Sequence, residues 1–113
     1  MHELSLAMDV IDLVKREADK NGVTCVEEVL IEIGDLSGVE ADIFLSALQM
    51  VVKDTLLENA VIKINHTPGK GRCRSCNLEF KMKTFFDPCP HCKSFTSEIM
   101  DGQEFRVVSL VTT

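Results

Sequence analysis

The sequence lacks a long apolar run, a basic leader segment and an excess of positive charge. Over its 113 residues, no stretch approaches the ~20 consecutive apolar residues that a membrane helix needs, so we expect no membrane span. The N-terminus has no basic region followed by an unbroken apolar core, which argues against a secretory signal. We therefore expect a cytoplasmic protein whose working chain starts at Met1, since the bulky His2 should disfavour removal of that methionine.

The charge balance argues against two classes of partner. Acidic residues outnumber basic ones by 18 to 12, which gives a formal net charge of -6 and a pI near 5.0. An acidic surface repels phosphate backbones and anionic lipids, so we expect neither a nucleic acid nor a membrane as a partner. Hydrophobic residues make up 45% of the chain and charged residues 27%, a balance typical of a globular protein.

The usual sequence signatures of an enzyme are also missing. We find no carboxylate pair for acid–base chemistry and no cysteine–histidine couple with a plausible cleft. The glycine-rich segment PGKG at 68–71 lacks the surrounding pattern of a phosphate-binding loop. The sequence therefore predicts a protein that is not an enzyme.

Two segments have the apolar period of a helix. Residues 3–20 carry apolar side chains at steps of three and four, and Asn21-Gly22 provides a C-terminal cap. Ser37 followed by Glu40 matches a capping box, which predicts a second helix directly after it. The predicted buried side chains are Leu4, Ala7, Ile11, Val14 and Ala18 in the first helix, and Phe44, Ala47, Leu48 and Val51 in the second.

Three segments alternate apolar and polar residues and predict strands. They are residues 26–34, 60–65 and 105–111. The segment TPGKG at 67–71 is a cluster of turn residues and predicts a break in regular structure. Beyond that break the chain is poor in aliphatic residues and rich in cysteine until the last strand.

Four of the five cysteines form two pairs with metal-ligand spacing. Cys73 and Cys76 form the first pair, and twelve residues separate it from the second pair, Cys89 and Cys92. In a cytosolic protein such pairs more often hold a metal than form disulfides, and four thiolates suit a tetrahedral zinc ion at ~2.3 Å. The sequence therefore predicts structural zinc, which replaces the hydrophobic core that so short a segment cannot build.

Two alternatives to structural zinc are open for this segment. Iron in a rubredoxin-like site would make the chain an electron carrier, but Asn77 and Lys93 stand where small glycines would let backbone donors crowd the sulfurs. A nucleic-acid-binding zinc ribbon would use the local basic residues and Phe80, Phe85 and Phe86 for stacking. We instead expect these three phenylalanines to form the small core of the segment.

The order of these features predicts an α+β fold. Two helices pack on a small three-stranded, mostly antiparallel sheet, and a zinc-ribbon-like domain is inserted before the last strand. The predicted domain limits are 1–67 with 104–113 for the discontinuous domain and 68–103 for the insertion. A short strand that returns after an insertion can be exchanged between chains, which would give a homodimer.

The first three residues offer nitrogen ligands to a second metal. A free α-amine such as that of Met1 ordinarily has a pKa of ~8, so it is readily deprotonated near neutrality. The imidazole of His2 and the amide nitrogens of His2 and Glu3 lie beside it along the chain. Four nitrogens in a plane suit nickel(II) or copper(II), not zinc or magnesium.

The chain resembles the HypA/HybF family of hydrogenase-maturation nickel chaperones. The resemblance lies in MHE at the start, GDLSGVE at 34–40, and a late CxxC…CxxC insertion followed by a returning strand. It implies Ni(II) bound by Met1, His2 and Glu3, and structural zinc on the four paired cysteines. An acid near the nickel site occurs in some members; Glu40 matches its position, although the capping box competes for that side chain.

The resemblance also implies the function and the partners. Nickel would be delivered to the large-subunit precursor of a [NiFe] hydrogenase, together with a nickel-insertion GTPase of the HypB type, and some relatives also support urease. The alternative is a zinc-ribbon adaptor that binds a protein or nucleic acid and leaves the N-terminus unused. We assign no chemistry to Cys25, and we expect His66 and His91 to be exposed or locally bonded histidines and not ligands; a role of His91 in tuning the zinc site is the open alternative.

Overall fold

The computed structural model describes residues 3–112, and their elements form two three-stranded sheets and two helices. The strand orders are β2-β1-β6 in one sheet and β4-β3-β5 in the other. This arrangement confirms the predicted α+β fold class with two helices and small sheets. No helix within this range combines the length and apolar character needed to cross a membrane. The elements are α1 (Glu3–Lys20), β1 (Val26–Gly34), α2 (Ala41–Val51), β2 (Val61–Thr67), β3 (Gly69–Cys73), β4 (Glu79–Met82), β5 (Ser97–Asp101) and β6 (Phe105–Thr112).

Helix α1 buries one stripe of small apolar side chains. Ala7, Val10, Val14 and Ala18 are its buried residues, so Val10 takes the place expected for Leu4, which is exposed. The helix ends where predicted, because Gly22 adopts a left-handed φ of 67°. The following N–H of Val23 then donates to the carbonyl of Ala18 at 2.9 Å, which closes the last turn.

Helix α2 does not begin with the predicted capping box. Its N-cap residue is Glu40, and the Glu40 side chain makes no capping hydrogen bond. Gly38 has a φ of 81°, which places a turn between Ser37 and the helix, so the Ser37 hydroxyl accepts the Val39 N–H instead. The capping-box prediction is therefore wrong, and the Glu40 carboxylate is not used in it.

Strand β1 confirms the predicted alternation of faces. Val29, Ile31 and Ile33 are buried, whereas Glu28, Leu30 and Glu32 are half-buried. The buried residues of β1 and of α2, Phe44 and Leu48, belong to the hydrophobic core together with the stripe of α1. This alternation fixes the strand register, because a slip of one residue would expose the apolar face.

The chain forms two compact units. One contains Met1–Ile31, Glu40–Asn65 and Arg106–Thr113, and the other contains Glu32–Val39 and His66–Phe105. In the second unit, the N–H of Leu36 donates to Gly102 O at 2.7 Å. The domain limits predicted from the sequence, 1–67 with 104–113 and 68–103, describe parts of the chain that would fold separately. They stay a prediction.

The break predicted at 67–71 is limited to one residue, because β3 begins within this segment. Pro68 separates β2 from β3, and strand structure resumes at Gly69. A Cβ at Gly69 would contact the Met82 carbonyl oxygen, and one at Gly71 would contact the Met82 sulfur. The two glycines therefore permit close packing of β3 on β4. In the sequence alone, glycines with this role cannot be distinguished from glycines of a turn.

Candidate metal sites

The second unit brings the four paired cysteines together. Their sulfur atoms all lie within 4.8 Å of one another. The sulfur–sulfur distances are 3.4 Å from Cys73 to Cys92 and 3.6 Å from Cys76 to Cys89. A tetrahedron with metal–sulfur bonds of ~2.3 Å has edges of about 3.8 Å, so the four sulfurs fit a zinc ion.

Both cysteine pairs are held by the same backbone geometry. The N–H of Asn77 donates to Cys73 O at 2.8 Å, and the N–H of Lys93 donates to Cys89 O at 2.9 Å. Asn77 and Lys93 both have left-handed backbones, with φ values of 63° and 64°. Each turn therefore reaches the left-handed conformation that glycine favours without having a glycine; Asn77 is of a residue type that tolerates this conformation, whereas the type of Lys93 gave no signal of it.

The backbone amides of these turns set the charge of the thiols. The Cys76 N–H, with help from the amide of Ser75 and the neighbouring thiols, lowers the pKa of Cys73 to about 6 against the effect of burial. The Leu78 amide acts in the same direction on Cys76, but burial and the three other thiols raise the pKa of Cys76 to about 12. Without a cation the cluster thus retains protons, which a metal ion must displace to bind.

The arrangement of ligands is that of a closed, structural site. Cys73 lies at the end of β3, and Cys73 and Cys89 are fully buried. Zinc held by four protein thiolates has no open position for a substrate, so it would supply cross-linking and no reaction chemistry. Such an ion would join the β3–β4 turn to the second cysteine pair, and it would offset the small apolar core of this unit.

Sequence reasoning missed a group of hydroxyls beside the cysteines. Ser94 Oγ lies 2.7 Å from Thr96 Oγ1, and Ser75 Oγ lies 3.4 Å and 3.3 Å from these two atoms. Ser75 is inside the first cysteine pair, whereas Ser94 and Thr96 follow the second. The hydroxyls therefore connect the two pairs independently of any metal, and only their proximity in space identifies them.

The predicted phenylalanine core of the segment is wrong. Phe85 and Phe86 are exposed, and Phe80 is only half-buried. The space is filled instead by Met82, which is buried and which packs where Gly71 leaves room. A flexible thioether suits this irregular gap better than a rigid ring does.

The predicted nickel site lies only partly within the described residues. Met1 and His2 are outside that range, and Glu3 is the first residue of α1. The Glu40 N–H donates to Glu3 Oε2 at 3.3 Å across 37 residues of sequence. The structure thus brings Glu3 and Glu40 together, which the sequence could not show because the two lie at the starts of different helices.

The other candidate residues do not join either site. Cys25 is exposed, and His91 is exposed between the two cysteines of the second pair. The His66 Nδ1 lies 4.0 Å from Asp35 Oδ1. Within residues 3–112, the four paired cysteines form the one cluster with metal-binding proximity.

Known proteins match this chain over almost its whole length. The family described as "Hydrogenase/urease nickel incorporation, metallochaperone, hypA" matches residues 1–112. A hydrogenase maturation factor HypA from Parabacteroides distasonis is 44% identical over 111 residues, which cover 98% of this chain and 96% of that protein. A protein of the same name from Geotalea daltonii is 44% identical over 110 residues, 97% of each chain.

The solved structures agree with this assignment. The solution structure of the Ni metallochaperone HypA from Helicobacter pylori has a TM-score of 0.68 and 29% identity, over 99% of this chain and 97% of that one. The structural similarity therefore covers almost the whole of both chains. The chain therefore belongs to the HypA family.

Proposed function

We propose that this protein is a nickel metallochaperone of hydrogenase maturation that binds Ni(II) at its N-terminus and passes it on. The observation that carries the proposal is the match of residues 1–112 to a family of nickel incorporation. The ligands would be the Met1 amine, the His2 imidazole and the backbone nitrogens of His2 and Glu3. The protein would act by transfer and would not turn over a substrate.

The position of Glu3 supports a defined N-terminal site. The Glu3 side chain is half-buried and accepts the Glu40 N–H, so the chain is fixed directly after His2 in sequence. The contact holds the backbone of Glu3, whose nitrogen is one of the proposed ligands, in place before a metal binds, which lowers the entropy lost on binding. Three of the proposed ligand atoms are nitrogens that carry protons in the free protein, so nickel loading should rise with pH.

Glu40 is part of the proposal as an acidic group beside the nickel site. Its backbone N–H is used by Glu3, but its side chain is exposed and makes no capping hydrogen bond. The carboxylate is therefore available to a cation near Glu3. A carboxylate at this place could bind nickel directly or neutralise its charge.

We also propose zinc as the resident metal of the second site. Cys73, Cys76, Cys89 and Cys92 would be its ligands, as the sulfur distances support. Residues 68–103 would then form the inserted zinc domain, with 1–67 and 104–113 as the nickel-binding domain. Zinc would stabilise the insertion, and the cargo nickel would not enter this site.

The partners follow from this function. The acceptor would be the large-subunit precursor of a [NiFe] hydrogenase, and a nickel-insertion GTPase of the HypB type would take part. All of these steps would occur in the cytoplasm. A nickel ion bound at a chain end can be approached by ligands of the acceptor, so it can move by stepwise ligand exchange.

Nickel titration of three proteins tests the proposal. Untagged zinc-loaded protein should bind one nickel ion tightly, whereas a version with two residues added before Met1 should lose that site. His2→Ala should lose it as well, because the imidazole is one of the four ligands. Zinc content should stay the same in all three, which serves as the control for folding. Equal nickel affinity of the native and extended chains would refute the N-terminal site.

A further inference from the structure

Three side-chain hydroxyls connect the two cysteine pairs without being candidate metal ligands. We call Ser75, Ser94 and Thr96 the hydroxyl bridge. Its oxygen atoms lie 2.7 to 3.4 Å apart, and the contacts of Ser75 span 19 and 21 residues of sequence. Each hydroxyl can donate one hydrogen bond and accept another, so the three can form a closed ring. The bridge is therefore a contact between the two cysteine turns and not a feature of either turn alone.

The hydroxyl bridge runs alongside a contact between sulfurs of the two pairs. Ser75 follows Cys73 by two residues, and its backbone N–H hydrogen-bonds to the Cys73 sulfur. Ser94 follows Cys92 by two residues, and its backbone N–H hydrogen-bonds to the Cys92 sulfur. These two sulfurs are 3.4 Å apart. The hydroxyls thus join the two residues whose amides contact neighbouring sulfurs of different pairs.

Backbone hydrogen bonds place each end of the hydroxyl bridge. The Arg74 N–H donates to Thr96 O at 2.9 Å, and the Cys89 N–H donates to Ser94 O at 2.9 Å. The Thr96 N–H donates in turn to Ser94 Oγ at 3.2 Å. Against this framework, the Ser75 hydroxyl is a link between the turns that one substitution can remove. Because the Ser75 side chain is exposed, its truncation leaves no cavity.

A closed metal site exchanges its ion only when it opens. An ion held by four thiolates has no free position, so one cysteine pair must move away from the other before a competing ligand or metal can enter. Hydrogen bonds that join the two pairs are broken in the open form and intact in the closed form. One hydrogen bond of ordinary net strength changes such an equilibrium about fivefold.

We propose that the hydroxyl bridge holds the two cysteine pairs together, so that zinc stays bound and cargo nickel does not replace it. This inference rests on the proposed function, in which zinc is the resident metal and nickel is carried elsewhere on the chain. Thiolates accept nickel as well as zinc, so slow opening is a means of keeping the two metals apart. Ser75, Ser94 and Thr96 are positioning residues, which act on the ligands through the turns and do not touch the ion.

The chain supplies two matched controls. Ser97 directly follows Thr96, and its Oγ is buried with no hydrogen-bond partner among residues 3–112. Ser97→Ala therefore removes a hydroxyl from the same segment without removing a hydrogen bond. Ser75→Thr changes the same residue as Ser75→Ala but keeps its hydroxyl. A general effect of substitution near the cysteines would appear in these variants too.

The rate of zinc transfer from the full-length protein to an excess of a chromogenic chelator is the first test. Ser75→Ala should lose zinc about fivefold faster than wild type, whereas Ser75→Thr and Ser97→Ala should lose it at the wild-type rate. In a chain that also carries Ser94→Ala and Thr96→Val, Ser75→Ala should have no further effect, because its partners are already absent. Zinc content and circular dichroism before the assay verify folding.

Entry of nickel into the zinc-loaded protein is the second test. Absorption from sulfur-to-nickel charge transfer reports only nickel bound to cysteine, so this reading does not depend on a nickel site at the N-terminus. In excess nickel, Ser75→Ala should gain this absorption about fivefold faster than wild type. Ser97→Ala should gain it at the wild-type rate.

The outcomes separate this inference from the proposed function. Equal zinc release from wild type and Ser75→Ala would overturn the inference while leaving the zinc site in place, and so would equally fast release from Ser97→Ala or Ser75→Thr. Faster zinc release without faster nickel entry would overturn the exclusion of nickel. Wild-type protein that holds no zinc under reducing conditions would refute the zinc site itself.

Discussion

At the scale of single residues, Glu3 has two roles in this account. Its backbone nitrogen is a proposed nickel ligand, and its carboxylate accepts the N–H of Glu40 at the start of α2. The first N–H groups of a helix lack partners within the helix, and Glu40 does not supply one from its own side chain. Glu3, which lies on α1, thus accepts the N–H of the N-cap residue of α2.

Replacing Glu3 with alanine should reveal this contact. Glu3→Ala should lower the free energy of unfolding by about 1 kcal/mol, the usual cost of losing a capping acceptor. Glu3→Gln retains an oxygen at the same place and should cost less. Urea denaturation of the zinc-loaded proteins measures both, and equal stability of Glu3→Ala and wild type would contradict the role of the contact.

At the scale of elements, periodicity predicted both helices and the three strands of one sheet, but not the three short strands of the other sheet. Strand β1 and the helix cap at Gly22 could be predicted from residue type and spacing, because each depends on residues that are close together in the sequence. The capping box failed because the turn at Gly38 intervenes, and β3 was missed because its glycines resemble a turn. The phenylalanine core failed because Met82 fills the space. These outcomes depend on contacts between elements, which spacing does not encode.

Two glycines that look alike in sequence should respond differently to alanine. A Cβ at Gly34 would contact the backbone carbonyl of Gly102, whereas a Cβ at Gly22 would have nothing within 4 Å. Gly34→Ala must shift backbone and should cost ~3 kcal/mol. Gly22→Ala should cost only about 1 kcal/mol, because its left-handed φ of 67° disfavours a side chain. Denaturation midpoints compare the two, and a larger loss in Gly22→Ala would contradict the packing described for Gly34.

At the scale of the whole molecule, the two compact units differ in what stabilises them. Both helices belong to the first unit, which buries aliphatic side chains from α1, β1 and α2. In the second unit, two of the buried side chains are cysteines of the cluster, Cys73 and Cys89. The second unit therefore depends on its metal far more than the first does.

Removal of zinc should disrupt one unit and spare the other. Chelation under reducing conditions should leave the helical signal in circular dichroism nearly unchanged, since that signal comes from α1 and α2. The segment between Cys73 and Cys92 should at the same time become sensitive to protease. Cys25→Ser should keep its zinc and serve as the control. Collapse of the helical signal on chelation would contradict this division, and so would a protease-resistant segment without zinc.

Sequence could indicate the candidate metal-binding residues of both sites but not their surroundings. The cysteine spacing and the N-terminal histidine are visible in one dimension, because ligands in short turns or at a chain end are close in sequence. The Glu3–Glu40 contact and the group formed by Ser75, Ser94 and Thr96 bring together residues that lie far apart in the chain. Only the fold creates these contacts, so no spacing rule could have found them.

The central claim is that nickel binds to nitrogen ligands at the amino end and not to the cysteine cluster. Nickel X-ray absorption of untagged, zinc-loaded protein with one equivalent of nickel tests it most directly. We predict a planar site of four nitrogen ligands without sulfur in the first coordination shell. Nickel coordinated by sulfur, with zinc displaced from the cysteines, would contradict the account.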